Sequence, residues 1–147
     1  MKWKALTISQ PFASLIANGE KRFENRTWEC LYRGQLAIHA GKGTQYLNRK
    51  ELAGYTTSAI VAVCRVIACI HVPSARDCLA HGKGHGHYCV EDLVDFASDP
   101  HFEGPFAIVL DDIAKLNMPI VISGKQGLWD VPSEHINTLE SAMPVPF

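Results

Sequence analysis

A long and nearly continuous apolar segment constrains the fold more than any other feature of this sequence. Residues 58–72 are almost entirely apolar, with Arg65 as the one charged residue, and Pro73 follows directly. The segment is shorter than the roughly 20 residues that a helix needs to span a bilayer. We therefore predict a strand that is buried on both faces or forms the wall of a barrel.

Short strand patterns dominate the rest of the sequence. We predict strands at residues 5–9, 22–29, 34–40, 106–110, 120–122 and 127–131, because apolar and polar residues alternate or apolar runs are short there. Helices are predicted near residues 11–18, 45–52 and 90–96, the first with Pro11 in its first turn and Gly19 after its end. Residues 81–87 are a predicted loop. The expected fold is α+β: a small mixed β-barrel with two or three short helices.

The chain has the size and composition of one globular domain. Its 147 residues are 47% apolar and 20% charged, without an internal repeat or an evident linker. We place the domain at residues 1–131. Residues 132–147 contain three prolines and are predicted to be a weakly ordered C-terminal extension.

The N-terminus and the cysteines favour a cytoplasmic protein without membrane contact. The first residues lack the apolar core and cleavage site of a secretory signal. Five cysteines are an odd number, and two of them, Cys64 and Cys69, lie within the long apolar segment, where a reduced thiol packs as a small hydrophobe. No cofactor is indicated, and the sequence leaves the oligomeric state open.

Charge is distributed unevenly along the chain. The net charge is −1, which argues against a strongly basic nucleic-acid binder. Residues 1–50, however, carry nine Lys and Arg against three Glu, whereas residues 51–147 carry five against twelve Asp and Glu. The N-terminal third is therefore expected to present a positive surface of modest, salt-sensitive affinity.

Lys21, Glu24 and Arg26 form a dense charged cluster directly after the first helix. A lysine at this position can meet a phosphate as a point charge or act as a base when desolvated. Glu24 and Arg26 share one face of the predicted strand. They either pair with each other or point into a site, where Arg26 would hold a phosphate or a base edge and Glu24 would accept from an exocyclic amine.

Several spaced motifs together resemble the ASCH domain family (activating signal cointegrator homology) of the PUA-like superfamily. They cover residues 4–131, and their order and spacing are more specific than any single motif. The matching residues are Ser9-Gln10-Pro11-Phe12, Gly19 and Lys21, Glu24, Arg26 and Trp28, Arg33-Gly34, Ile38-His39-Ala40, Ile122-Ser123-Gly124-Lys125, and Leu128-Trp129.

The resemblance implies a PUA-like β-barrel with a cleft beside the first helix. Such a cleft accepts RNA, single-stranded nucleic acid or a nucleoside, and we expect these as partners. The predicted nucleic-acid-binding residues are Lys21, Glu24, Arg26, Lys42 and Lys125. Trp28 and Trp129 are candidates for stacking on a base, although tryptophans of a small barrel are more often part of the core.

Catalysis is the alternative to binding, with Lys21 and Glu24 as candidate catalytic residues. Superfamily relatives that hydrolyse an acylated cytidine resemble this region but have a threonine in place of Glu24 and a glutamate on a later central strand. Residues 58–72 contain no acidic residue, so we favour binding over this hydrolysis. A ribonuclease site built from Lys21, His39, Lys42 and Lys125 and a protein-interaction module that uses the acidic C-terminal part are further alternatives.

The segment 78–89 contains five potential zinc ligands: Cys78, His81, His85, His87 and Cys89. Zinc sites prefer paired ligands at short fixed separations, and only Cys78 with His81 and His81 with His85 have such a spacing. We therefore expect a histidine-rich loop here and no metal, with zinc as the less favoured hypothesis.

Overall fold

The structure is a computed structural model and describes residues 2–144. Its strands are β1 (Lys4–Ile8), β2 (Phe23–Arg26), β3 (Gly34–Ala40), β4 (Ala59–His71), β5 (Phe106–Val121) and β6 (Leu128–Asp130). Its α-helices are α1 (Phe12–Ala17), α2 (Val72–Ala80), α3 (Val90–Ala97) and α4 (Ile136–Ala142). Single 3₁₀ turns occur at Leu52–Gly54 and Ser133–His135.

The strands form one mixed sheet of six strands in the order β2-β5-β4-β3-β1-β6. β1 runs parallel to β3, with Lys4 opposite Leu36 and Ile8 opposite Ala40. β1 is antiparallel to β6, and β2 is antiparallel to β5. The predicted α+β class with a small barrel-like mixed sheet and short helices is confirmed. The described residues contain four α-helices, one more than the largest number expected.

The chain divides into two compact units. The first unit comprises residues 1–21, 34–65 and 111–147, and the second comprises residues 22–33 and 66–110. β4 and β5 each contribute one part to the first unit and the other part to the second. Each unit has its own apolar core.

The core of the first unit combines side chains from five strands and the C-terminal helix. Its buried members include Trp3, Ala37, Ile60, Val63, Leu116, Trp129 and Leu139. Trp3 donates its indole N–H to Glu140 Oε1 at 2.7 Å. This hydrogen bond connects the residue that precedes β1 to α4. Burial of these apolar side chains is the main stabilising contribution to the unit.

The core of the second unit is aromatic. The Phe23 ring meets the Phe96 and Phe102 rings edge to face, with centroids 5.3 and 5.1 Å apart. The Arg22 guanidinium lies 5.1 Å from the Phe96 ring centroid and donates to Asp95 at 2.7 Å. Because aromatic pairs of this geometry add to simple area burial, β2 is held firmly against α3.

Several elements lie where the sequence predicts them. β3 has the predicted bounds, and β4 differs from the predicted strand by one residue at each end. α3 covers the predicted helix 90–96 and extends it by one residue. These segments have strong apolar patterns that leave few alternatives.

The predictions for β5 and α2 were wrong in detail. The two strands predicted at residues 106–110 and 120–122 belong to one strand, β5, which passes through Asp112 at φ 50°. Asp112 accepts a hydrogen bond from Arg65 Nε at 3.1 Å, so the charged residue of β4 pairs with one of the charged residues of β5. Pro73, interpreted as the stop of a strand, stands in the first turn of α2, where its missing N–H costs nothing.

The predicted helix at residues 45–52 is absent from the structure. This segment consists of turns, and the 3₁₀ turn at Leu52–Gly54 is its only helical part. Most residues of the segment are exposed, so there is no apolar face whose burial would stabilise a helix.

The C-terminal region is folded where the structure describes it, which corrects the expectation of a weakly ordered extension. Residues 133–142 are helical, and Leu139 of α4 is fully buried in the core of the first unit. The last three residues of the predicted extension, 145–147, lie outside the described residues. Within residues 2–144, no helix has the length and hydropathy that a membrane crossing requires.

We predict that Leu139→Ala lowers the free energy of unfolding by about 2–5 kcal/mol, because it leaves a cavity in the first unit's core. Thr138→Ala is the matched control on the exposed side of the same helix, with an expected change of about 0.5 kcal/mol or less. Urea unfolding followed by tryptophan fluorescence measures both. Equal effects of the two substitutions would show that α4 is not part of the core.

Candidate nucleic-acid interface

The parallel pair β1 and β3 places two loops at one edge of the sheet. β1 ends at Ile8 and is followed by α1, and β3 ends at Ala40 and is followed by residues 41–51, here called the β3–β4 connection. The Gly41 N–H donates to Ile8 O at 2.9 Å, which fixes the start of this connection on β1. The carboxyl ends of parallel strands are a common place for ligand sites in mixed sheets.

Thr7 is the centre of a hydrogen-bond chain at this edge. Trp129 Nε1 donates to Thr7 Oγ1 at 3.1 Å, and Thr7 Oγ1 lies 3.2 Å from His39 Nδ1. His39 Nε2 lies 2.6 Å from Ile122 O. Since a carbonyl only accepts, Nε2 carries the proton and Nδ1 accepts from the Thr7 hydroxyl. The hydrogen bonds thus follow one consistent order of donors and acceptors, from the Trp129 N–H to the Ile122 carbonyl.

This hydrogen-bond chain indicates what His39 and Trp129 do in the structure. His39 is 1% exposed, and both of its ring nitrogens bond within the protein. Trp129 is 5% exposed and meets the His39 ring edge to face at 5.5 Å. Both side chains therefore act as packing and positioning groups. Sequence reasoning did not single out Thr7, although a hydroxyl between the buried Leu6 and Ile8 was a signal for it.

Two glycines bring the loops of Lys42 and Lys125 against Thr7. A Cβ on Gly124 would lie 2.5 Å from Thr7 Oγ1 and 2.7 Å from the His39 ring. A Cβ on Gly41 would lie 3.1 Å from Thr7 Cγ2. Because both loops touch the same side chain, the structure brings together two segments whose lysines the sequence predicted to bind nucleic acid. Lys42 and Lys125 are both exposed.

Lys21 is buried at the end of the α1 turn. It is 3% exposed, and its backbone N–H donates to Leu15 O at 3.1 Å. Its side-chain Nζ lies 6.0 Å from the centroid of the Phe12 ring. Phe12 in turn meets Tyr46 edge to face at 5.2 Å. Tyr46 is 58% exposed. A cation, a half-buried ring and an exposed ring thus follow one another beside α1.

Gln10 fixes α1 relative to the residues that precede β4. Its side chain is fully buried, donates to Thr56 O at 2.8 Å and accepts from the Ser14 N–H at 2.9 Å. Gln45 of the connection donates to Ser9 Oγ at 3.5 Å. Neither Gln10 nor Tyr46 was predicted as a site residue, because single polar or aromatic residues in loops carry no specific pattern.

Residues 1–50, which carry the excess of Lys and Arg, contribute to both units. Counted over the whole sequence, the first unit has nine Lys and Arg against seven Asp and Glu, a balance of +2. The second unit has five against eight, a balance of −3. Exposed cations concentrate in the β3–β4 connection, which carries Lys42, Arg49 and Lys50.

Glu24 and Arg26 lie in the second unit and pair with each other. Arg26 Nε donates to Glu24 Oε2 at 3.0 Å, and a terminal guanidinium nitrogen lies 2.9 Å from the same oxygen. Glu24 is 7% exposed, so the pair is largely removed from water and less screened than a surface pair. Of the two alternatives left open by the sequence, mutual pairing is what the structure contains. Trp28 follows β2 and is half-buried.

The cysteine- and histidine-rich segment does not gather a metal site within the described part of the chain. No group of three or more His, Cys, Asp or Glu side chains there has an arrangement that could hold a metal ion. Cys78 Sγ lies 3.5 Å from His85 Nδ1, and Cys89 Sγ donates to Asp92. Of the five candidate ligands, Cys78 and His85 thus contact each other, whereas Cys89 bonds to Asp92 and His81 lies 2.9 Å from Asp77 O.

Shifted pKa values reflect burial and one ion pair. The hydrogen bond from Lys4, at 2.8 Å, and its charge hold the pKa of Asp130 below its ordinary value, next to Trp129 on β6. Burial raises the pKa of the Cys64 thiol far above its ordinary range, and burial also raises the pKa of Cys69. Both thiols of the apolar segment are therefore protonated and poorly nucleophilic at neutral pH.

A family model described as the ASCH domain matches residues 6–112. The chain belongs to the ASCH domain family. The resemblance seen in the sequence motifs is thereby confirmed. The matched region of this ASCH domain includes β1, α1, the β3–β4 connection and β4.

Relatives of this ASCH domain include a human protein and a bacterial structure. Activating signal cointegrator 1 of Homo sapiens is 26% identical over 140 residues, a match that covers 88% of this chain and 22% of the human protein. The crystal structure of ASCH from Zymomonas mobilis matches with a TM-score of 0.56 at 17% identity, over 97% of this chain and 96% of that chain. A mutant of the same bacterial protein matches with a TM-score of 0.57, also at 17% identity, over 98% and 100%. The structural matches establish the fold.

We predict that Thr7→Val destabilises the protein by about 1–3 kcal/mol, because the Trp129 N–H and His39 Nδ1 lose their common partner inside the core. Thr7→Ser keeps the hydroxyl and is expected to restore most of this stability. Urea unfolding measures the free energies. A Thr7→Val variant as stable as the Thr7→Ser variant would remove the hydrogen-bond chain as a stabilising element.

Gly124→Ala tests whether the Lys125 loop is seated on Thr7 and His39. The added Cβ would overlap both side chains, so we expect the loop to move and the amide resonances of Thr7 and His39, which are distant in sequence, to shift in NMR spectra. Gly54→Ala is the control, since a Cβ there meets nothing within 4 Å and is expected to leave these two resonances unchanged. Unchanged Thr7 and His39 resonances in the Gly124→Ala protein would contradict this seating.

Proposed function

We propose that this ASCH domain binds RNA or single-stranded nucleic acid through the first unit, on the surface formed by α1 and the β3–β4 connection. The observation that carries the proposal is the exposed Tyr46 ring, which is backed by Phe12 and the buried Lys21 and accompanied by Lys42, Arg49 and Lys50. Stacking rings interleaved with cations are the usual elements of single-strand recognition.

Each element has a defined contribution. Stacking of a base on an exposed aromatic ring contributes about 1–3 kcal/mol and tolerates any base. Lys42, Arg49 and Lys50 are exposed and contact phosphates, which makes the affinity salt-dependent. The net charge of this unit is only +2, so we expect a modest affinity for nucleic acid. Aromatic stacking is therefore an essential part of the binding.

Lys21 and Lys125 complete the proposed surface. Lys21 is buried beside Phe12, with its Nζ 6.0 Å from the ring centroid, and adds positive charge behind the proposed stacking surface. Lys125 adds a phosphate contact from the loop that is seated on Thr7 and His39. Arg26 and Glu24 lie in the second unit and are still predicted to contact nucleic acid. To do so, Arg26 has to share its guanidinium between Glu24 and a phosphate.

The family membership supports binding of nucleic acid, which the motif resemblance implied. This chain spans 22% of the human relative's length, so activities of that whole protein are not transferred. The ribonuclease alternative drew its base, acid and cation from Lys21, His39, Lys42 and Lys125, and His39, the one imidazole among them, is 1% exposed with both ring nitrogens bonded internally. Binding is therefore the function that the geometry favours.

We expect Tyr46→Ala to weaken binding of a fluorescently labelled RNA by about tenfold or more, because one stacking contact is lost. Tyr46→Phe keeps the ring and is the matched control with near wild-type affinity. Fluorescence anisotropy measures both, with single-stranded DNA of the same sequence as a second ligand. No binding of either nucleic acid by the wild type, or equal binding by all three proteins, would refute the proposal.

Lys42→Ala tests the phosphate contacts. We expect it to reduce the slope of log affinity against log salt by about 0.7, the value for one phosphate contact to a single strand. Lys83→Ala removes an exposed lysine of the second unit and is expected to leave the slope unchanged. Equal changes in both variants would show that only the net charge matters.

A further inference from the structure

The second unit contains a pocket of its own, and none of the residues that line it belongs to the proposed nucleic-acid surface. It has a volume of about 500 Å³ and lies between residues 66–70 of β4, the turn at residues 85–88, and Arg33. Small-molecule sites in proteins typically enclose about 300–1,000 Å³. The pocket is therefore large enough for a ligand of nucleotide size.

Arg33 supplies an oriented positive charge at this pocket. One of its terminal guanidinium nitrogens donates to Cys30 O at 2.8 Å and to Tyr32 O at 2.9 Å. Among residues 2–144, no carboxylate lies within ion-pair distance of Arg33, whereas Arg22 pairs with Asp95. A guanidinium that is held by carbonyls and lacks an acidic partner is suited to bind an anion.

The turn at residues 85–88 forms a rigid rim. His85 and Tyr88 exchange two backbone hydrogen bonds of 2.9 and 3.0 Å, and Gly86 has a φ of 58°, which favours glycine. His85 and His87 add ring nitrogens to the rim. The imidazole of His85 is oriented by Cys78, whose Sγ lies 3.5 Å from Nδ1.

The floor of the pocket is apolar, and its polar groups are neutral or cationic donors. β4 contributes residues 66–70 to the floor, and Ile67, which is 48% exposed, lies on the opposite face of the strand from the buried Val66 and Ile70. Burial raises the pKa of Tyr88, so its hydroxyl stays protonated. Arg33 is itself one of the residues that line the pocket. Two carboxylates lie nearby, Asp92 towards Tyr88 and Glu29 towards Cys69.

We propose that this pocket binds a phosphate monoester attached to a planar ring that can lie flat on an apolar surface, as in a nucleoside monophosphate. Arg33 holds the phosphate with the guanidinium N–H groups that are not bonded to Cys30 and Tyr32, and His85 and His87 donate from the rim. The planar group lies on the floor formed by Ile67 and its neighbours. The phosphate monoester belongs either to a free nucleotide or to the phosphorylated end of an RNA.

The experiment compares three probes on the full chain by NMR: inorganic phosphate, a nucleoside 5′-monophosphate and the corresponding nucleoside. We expect the monophosphate to bind most tightly and to shift the amides of residues 85–88. Arg33→Gln should weaken it about tenfold or more, because a charge-assisted contact is lost. Arg76→Gln is the matched control: Arg76 lies in the same unit and also donates to a backbone carbonyl, Phe102 O at 2.7 Å.

Ile67→Trp provides a second variant that leaves the Arg33 hydrogen bonds intact. Its larger side chain fills the pocket and should block the monophosphate even if Arg33→Gln does not fold. Binding that persists in Ile67→Trp, or that Arg33→Gln and Arg76→Gln weaken equally, overturns the proposal. Equal affinity for nucleoside and monophosphate also overturns it.

A further comparison separates the two sources of the phosphate and separates this pocket from the proposed nucleic-acid surface. RNA with a 5′-phosphate and RNA with a 5′-hydroxyl are titrated against wild type, Arg33→Gln and Tyr46→Ala. A preference for the 5′-phosphate that disappears in Arg33→Gln but persists in Tyr46→Ala supports an RNA end as the ligand. Binding of the free monophosphate without any such preference supports a nucleotide.

Discussion

The arrangement of β1, β3, β6 and the Lys125 loop in the first unit depends on the hydroxyl group of Thr7. Through it, the indole of Trp129 on β6, the imidazole of His39 on β3 and the carbonyl of Ile122 form one hydrogen-bond chain around β1. Because buried polar groups are costly without partners, each member requires the others. The chain also needs Gly124, whose missing side chain makes room for Thr7 and His39. The position of the loop that carries Lys125 follows from these requirements.

The same arrangement explains why a weakly charged protein is a reasonable binder of nucleic acid. The excess of cations in the first 50 residues is split between the units, and the first unit has a charge balance of only +2. What the first unit offers instead is a local combination of exposed cations with Tyr46, Phe12 and the buried Lys21. In the function proposed above, this combination would supply both stacking and phosphate contacts.

The sequence was informative wherever a pattern had one stable solution. The apolar segment of β4 could only be a buried strand, and the spaced motifs identified the ASCH family before the fold was known. It was misleading where local signals competed with packing. Pro73 begins a helix, the charged residues of β5 occupy a bend in one continuous strand, and the proline-rich C-terminal region contributes Leu139 to the core.

Sequence alone determined the α+β class, the family and the lysines worth testing. Only the tertiary structure decided which polar residues are partners: it buried His39 and Trp129, paired Arg26 with Glu24, and left Tyr46 and Arg33 exposed. The physical reason is that hydrogen bonds and ion pairs depend on distances between residues far apart in the chain, such as the 122 positions between Thr7 and Trp129. Local patterns specify strands and helices, whereas such contacts arise when the strands have found their neighbours.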